Sequence, residues 1–155
     1  MRVFKFGGAS VKDAEGIKNV HHVLKTVGYE HVLLVVSAMG KTTNALEEVI
    51  KNYFDKSPEL NSSVQEVKKY HNQIVLDLFE DESHPVFEAV NAQFSDLEYF
   101  LAHNKSPNYN FVYDQIVSFG ELISTTILSH FMSFMGIETR SEEHTSELQS
   151  PACIS

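Results

Sequence analysis

The sequence predicts an α/β fold, a mostly parallel sheet with helices packed on it, and three observations carry that expectation. A short apolar run at residues 3–6 ends in Gly7-Gly8. A stripe at helical spacing follows, made of Ile17, Val20, Leu24 and Val27. A continuous apolar run, Val32-Leu33-Leu34-Val35-Val36, then completes a strand–helix–strand order. Such a run predicts a strand buried on both faces, hence parallel and central.

Taken in order, the first strand covers 3–6 and leads into Lys5-Phe6-Gly7-Gly8-Ala9-Ser10. Glycines let the backbone approach an anion, and successive N–H groups can form a concavity for it. Lys5 adds a point charge suited to phosphate. A helical pattern begins behind Ser10, so its positive end is expected at the same place. That helix covers about 13–27, with Gly28 as its stop. His21 and His22 read as solvated helix residues, since no further ligand is spaced to complete a metal site.

The second strand, 31–36, ends in Ser37-Ala38-Met39-Gly40-Lys41-Thr42-Thr43-Asn44. A helix follows to about residue 54, with Leu46, Val49, Ile50 and Tyr53 inward. Ligands of open α/β sheets bind at the carboxyl ends of strands, so loops 7–10 and 37–44 should share one edge. Gly40-Lys41-Thr42 is not a P-loop, because position 35 is valine where that motif needs glycine. Ser37, Thr42, Thr43 and Asn44 also fit ordinary capping and loop roles.

Residues 61–101 read as helical. One stripe holds Val64, Val67, Tyr70, Ile74 and Leu78; another holds Val86, Phe87, Val90, Phe94, Leu97 and Leu101. A loop at 81–84 separates them, with Pro85 suited to a first turn. A last helix covers about 113–135. Gly120 costs ~1 kcal/mol there relative to alanine, which points to close approach of a neighbour or ligand. Glu121, between Phe119-Gly120 and Leu122-Ile123, needs a partner if buried: a cationic ligand group or a local lysine.

Composition narrows the function classes. With 155 residues the chain suits one domain that buries roughly 70% of its unfolded surface. A net charge of −9 argues against a nucleic-acid partner. The single cysteine, Cys153, precludes an internal disulfide framework and fits a reducing cytoplasm. No signal peptide or apolar run of ~20 residues is present, so no membrane partner is expected.

Three motifs occur in order: Lys5-Phe6-Gly7-Gly8-Ala9-Ser10-Val11, the stretch 37–44, and Gly120-Glu121-Leu122-Ile123-Ser124-Thr125. Together they resemble the amino-terminal part of the aspartokinases, within the amino-acid kinase family. Ala9 stands where that family usually has threonine. The resemblance covers residues 1 to about 139 and implies a partial, truncated amino-acid-kinase (carbamate-kinase-like) fold. It implies that Lys5 is catalytic and neutralises the transferring phosphate, and that Gly7, Gly8 and Ser10 bind ATP phosphate with it. Ser37 and Thr43 match positions that hold aspartate. Glu121 matches the acid that pairs with the substrate's α-ammonium. The implied reaction moves the γ-phosphoryl of ATP, with Mg²⁺, onto the β-carboxylate of L-aspartate, feeding lysine, threonine and methionine synthesis. No metal-ligating residue is implied in this part. A homo-oligomer is implied for the intact enzyme, through parts absent here. The roles of Lys41 and Thr42 stay open.

Residues 140–155 differ in character. They are polar and resemble a translated sequencing-library adapter, a non-native, disordered tail, rather than the family's continuation. A chain of this extent would lack most ATP-binding elements and be inactive alone, with an exposed sheet edge. The other readings are an N-acetylglutamate, glutamate or nucleoside-monophosphate kinase, a non-catalytic amino-acid-binding module, or an unfolded partial product.

Overall fold

The computed structural model describes residues 1–142, and 153 and 154. Strand β1 (Arg2–Phe6) pairs in parallel with β2 (Val32–Val36), Lys5 opposite Val35 and Phe6 opposite Val36. Two short strands, β3 (Ser141–Glu142) and β4 (Cys153–Ile154), extend the sheet in the order β1-β2-β4-β3, both pairings antiparallel. So β2 is interior and parallel to β1, as its apolar run predicts. Most of the 140–155 tail lies outside the described residues.

Burial corrects one expectation. Val32, Leu34 and Val36 are buried, but Leu33 and Val35 on the other face are only half-covered. Lys5 and Val3 share that second face, and Val3 is 59% exposed at the edge strand. One face of the sheet is therefore packed, and the other is open beside Lys5.

Helix α1 (Ala14–Val27) buries Ile17, Val20, His21 and Leu24. Its first turn is closed by Asp13, whose Oδ1 accepts the Gly16 N–H at 2.8 Å. A 3-10 turn at Gly8–Val11 separates it from the glycine loop. The α1 amino end is thus set back behind its own cap rather than opening directly behind Ser10. At the other end Gly28 takes φ +83, and the Arg2 guanidinium donates to the Val27 and Gly28 carbonyls at 2.6 and 2.7 Å. His21 is buried, not solvated: its ring meets Phe131 edge-on and its Nε2 has no hydrogen-bond partner. His22 is exposed.

Helix α2 (Thr42–Phe54) packs on α3 (Leu60–Phe79), and α4 (Pro85–His103) follows. Pro85 occupies the first turn of α4, and His84 Nδ1 accepts the Val86 N–H at 3.1 Å. Helix α5 (Tyr109–Phe134) begins four residues before the expected start, because Asn108 Oδ1 caps it through the Phe111 N–H. It touches β2, α2, α3 and α4, and Ile116, Ile123, Ile127 and Leu128 are fully buried at the centre of the core. Burial of such side chains gives ~1.5–3 kcal/mol each and anchors everything attached to α5.

Candidate functional site

The carboxyl ends of β1 and β2 meet in two interlocked loops. The Ser37 N–H donates to the Phe6 carbonyl at 3.1 Å, and the Gly40 N–H to the Gly8 carbonyl at 2.9 Å. A β-carbon on Gly8 would stand 2.6 Å from the Ala38 carbonyl oxygen, so only glycine permits this contact. Gly7 differs: no atom lies within 4 Å of where its β-carbon would stand, and the residue is exposed. Of the two glycines, Gly8 joins the loops and Gly7 leaves room for an anion. Ser10 is exposed in the 3-10 turn, its N–H donating to the Gly7 carbonyl at 2.9 Å.

Helix α5 closes the rim from the side. A β-carbon on Gly120 would approach Ala38 Cβ at 3.0 Å and Thr42 Cγ2 and Leu46 Cδ1 at 3.2 Å. The close approach predicted at Gly120 is therefore a protein neighbour. One turn on, the buried Ser124 hydroxyl donates to the Ser37 carbonyl at 2.8 Å.

Between these contacts stands Glu121. It is half-buried, and loss of solvent pushes its carboxyl above the ordinary carboxylate range, while the positive charge of Lys5 pulls it back down. Lys5 and Glu121 therefore feel one another across the rim. Neither of the two ion pairs seen among the described residues, Lys18–Glu15 and Lys51–Asp55, involves Glu121. Lys5 acts on it through space.

Thr43 is the second residue of α2 and half-buried. That helix starts directly from the 37–41 loop with no side-chain cap and no acidic residue in its first turn. The expected rim thus gathers Lys5, Gly7, Ser37 and Glu121, with Thr43 at the adjoining helix start and Ser10 one turn behind.

Helix α3 grips the same loop from outside. The Tyr70 hydroxyl donates to the Lys12 carbonyl and lies 2.6 Å from where a Gly40 β-carbon would be; Gly40 also has φ +54. Thr42 Oγ1 donates to the Met39 carbonyl at 2.6 Å and lies 3.4 Å from His71 Nε2. A pocket of about 610 Å³ opens beside this grip, lined by Lys12, Lys41, Thr42, Glu66, Val67 and Tyr70. None of Lys5, Ser37 or Glu121 lines it. The sequence pattern does not mark Ser124, Tyr70 and His71 as partners of the loop. The available signal was a histidine four residues after Val67 and three before Ile74, inside an apolar stripe.

These contacts define an α/β protein whose candidate site lies at the carboxyl ends of β1 and β2. The model of the amino acid kinase family matches residues 1–150, and the chain belongs to that family. It is 32% identical over 145 residues to aspartokinase 1, chloroplastic, of Arabidopsis thaliana, covering 89% of this chain and 24% of that relative. It is 27% identical to the bifunctional aspartokinase/homoserine dehydrogenase 2 of Escherichia coli, covering 88% of this chain and 16% of that one. Its fold matches the crystal structure of E. coli aspartokinase III in complex with aspartate and ADP, with TM-score 0.72 and 20% identity, over 88% of this chain and 29% of that one. The chain spans about a quarter or less of the length of the curated relatives it matches.

Proposed function

We propose that this chain is the amino-terminal, substrate-holding part of an aspartate kinase. The observation that carries the reading is the charge arrangement at the rim: a half-buried carboxylate, Glu121, in the field of Lys5, beside the interlocked loops that carry Gly7 and Ser37. A substrate with one ammonium and two carboxylates suits this charge pattern. Glu121 takes the α-ammonium, Ser37 and Thr43 hold the amino acid, and Lys5 screens the β-carboxylate as it meets a second anion. The likeness to aspartokinases supports the choice of aspartate over glutamate or N-acetylglutamate.

The nucleotide fits at the open side of Gly7, with Lys5, Gly8 and Ser10 around its phosphate. Bound ATP supplies the γ-phosphoryl group, which passes to a β-carboxylate oxygen as the bond to ADP breaks; an acyl phosphate results. Transfer of this kind depends on in-line placement and charge screening more than on covalent help from protein. Lys5 is the catalytic residue in this reading. In this reading Mg²⁺ would enter with the ATP and help to screen the phosphate charge, and no residue of this chain is assigned to it. The setting is the cytoplasm, and the whole enzyme is a homo-oligomer. No helix among the described residues is long and apolar enough to cross a membrane.

Calorimetry with L-aspartate, L-glutamate and MgATP tests the binding claims. Aspartate binding that is lost in Glu121→Gln supports the reading, and a preference for glutamate sinks it. Aspartate-dependent ADP release tests the further expectation that the 155-residue chain is inactive alone; turnover refutes that expectation.

A further inference from the structure

His71 stands inside α3 with 0% of its surface exposed. Its Nδ1–H donates to the Val67 carbonyl at 2.8 Å, because a carbonyl can only accept. In the neutral ring the Nε2 lone pair then faces Thr42 Oγ1 at 3.4 Å. The Thr42 hydroxyl has one proton and a closer acceptor, the Met39 carbonyl at 2.6 Å. Its oxygen keeps lone pairs that only a protonated Nε2 could use. From α4 the imidazole faces the Phe94 ring, and Tyr70 of its own helix meets it edge-on. Among the described residues no charged group shifts it; burial pushes its pKa down and the bond to Val67 partly restores it.

Thr42 is 2% exposed and is the first residue of α2, a helix with no side-chain cap. Its methyl group faces Gly120, whose β-carbon would stand 3.2 Å away. The turn is therefore held by α5 on its apolar side and by α3 on its polar side.

We propose that His71 is a positioning residue for residues 39–43: packed against the Thr42 hydroxyl from α3, and bonded to it when the ring is protonated, it fixes the start of α2 and so sets where Thr43 stands at the substrate rim. Only the last step, the link to substrate, rests on the aspartate kinase reading. The hydrogen bond alternates with the state of the ring. Neutral His71 competes with Met39 for the Thr42 proton, whereas protonated His71 donates to Thr42 and completes a run from Val67 to Met39.

Two measurements on the full chain test this. The first follows the His71 ring titration by NMR in wild type and Thr42→Val. Loss of the acceptor is expected to lower the His71 pKa by about half a pH unit, since a hydrogen bond to the charged form favours that form. An unchanged value overturns the proposal. The second follows amide hydrogen exchange at residues 40–45. His71→Asn keeps the reach to Val67 but not to Thr42, and exchange there is expected to accelerate at least tenfold. His71→Gln, which reaches Thr42, restores protection, and Thr42→Val with His71→Asn is no worse than either alone. Exchange unaltered in a folded His71→Asn variant overturns the proposal; should that variant not fold, the Thr42→Val titration still decides. Aspartate calorimetry on the same samples separates the two readings. A coupled His71 and Thr42 in a chain that ignores aspartate supports the positioning of the turn and overturns the substrate assignment.

Discussion

The Ser124 hydroxyl donates to the Ser37 carbonyl at 2.8 Å, across 87 residues of chain. It ties α5, three residues beyond Glu121, to the first residue after β2. Glu121 and the 37–44 loop are thereby held in one frame. Ser124→Ala leaves a half-buried carbonyl without its donor, which costs ~1–3 kcal/mol. A lower urea midpoint with unchanged slope is the expected result. Ser124→Thr, which keeps the hydroxyl, is expected to recover part of the loss.

Gly7 and Gly8 should part company under the same substitution. At Gly8 an alanine β-carbon meets backbone oxygen at 2.6 Å, and backbone cannot swing away as a side-chain tip can. Overpacking of this kind costs ~1–3 kcal/mol. At Gly7, φ −74 and ψ 167 suit any residue and the space is open. Gly7→Ala is therefore expected to change stability by no more than ~0.5 kcal/mol. Thermal melts of both variants check the contrast, and MgATP titration of Gly7→Ala checks whether the open side matters to phosphate.

Glu121 carries a desolvation cost in the free chain. Its folded pKa is raised, so its stabilising contribution is present below the unfolded carboxylate pKa and is lost as pH rises through the folded value. Glu121→Gln cannot ionise and should make the free chain more stable at pH 7. The same change should weaken aspartate at least tenfold, about 1.4 kcal/mol. Lys5→Met removes the charge that pulls the Glu121 pKa down, so carboxyl NMR titration should find it higher still in that variant. A Glu121 titration indifferent to Lys5 would contradict the shared rim.

Three histidines set an acid limit. Burial is the leading cause of the lowered pKa at His21, His71 and His84, with Lys25 and His22 adding to it at His21 and His130 at His84. A depressed folded pKa means that the unfolded chain binds protons first, so stability is complete above ~6.5 and falls as pH drops below it. Urea midpoints should decline between pH 7 and pH 5. Replacing His21 with phenylalanine removes one such group, and its midpoint should depend less on pH than that of the parent chain.

Much of this arrangement was legible because its causes are local. Gly28 ends α1 and Pro85 starts α4, since φ preferences act within a residue or two. Gly120 announced a close approach because a glycine inside a helix has a local cost. Other features depend on residues far apart in sequence. His21 was expected in solvent, but Phe131 of α5 lies against it. The α5 start lies four residues before the one its apolar repeat suggests, since the cap at Asn108 precedes that repeat. Leu33 and Val35 looked buried because composition does not tell which sheet face a helix will cover. His71 sat within an apolar stripe whose periodicity could not name its partner on α2.

Amino-acid order alone determined the sheet–helix alternation, the two glycine-bearing loops at strand ends, and the presence of an acid among apolar neighbours. Those follow from backbone sterics and periodic burial, which act over a few residues. Folding in three dimensions decided which glycine is packed and which is open, which histidines are dry, and that Lys5 and Glu121 share one field. Close packing and Coulomb forces act between groups that meet only when distant segments are brought together, and no linear pattern encodes those distances.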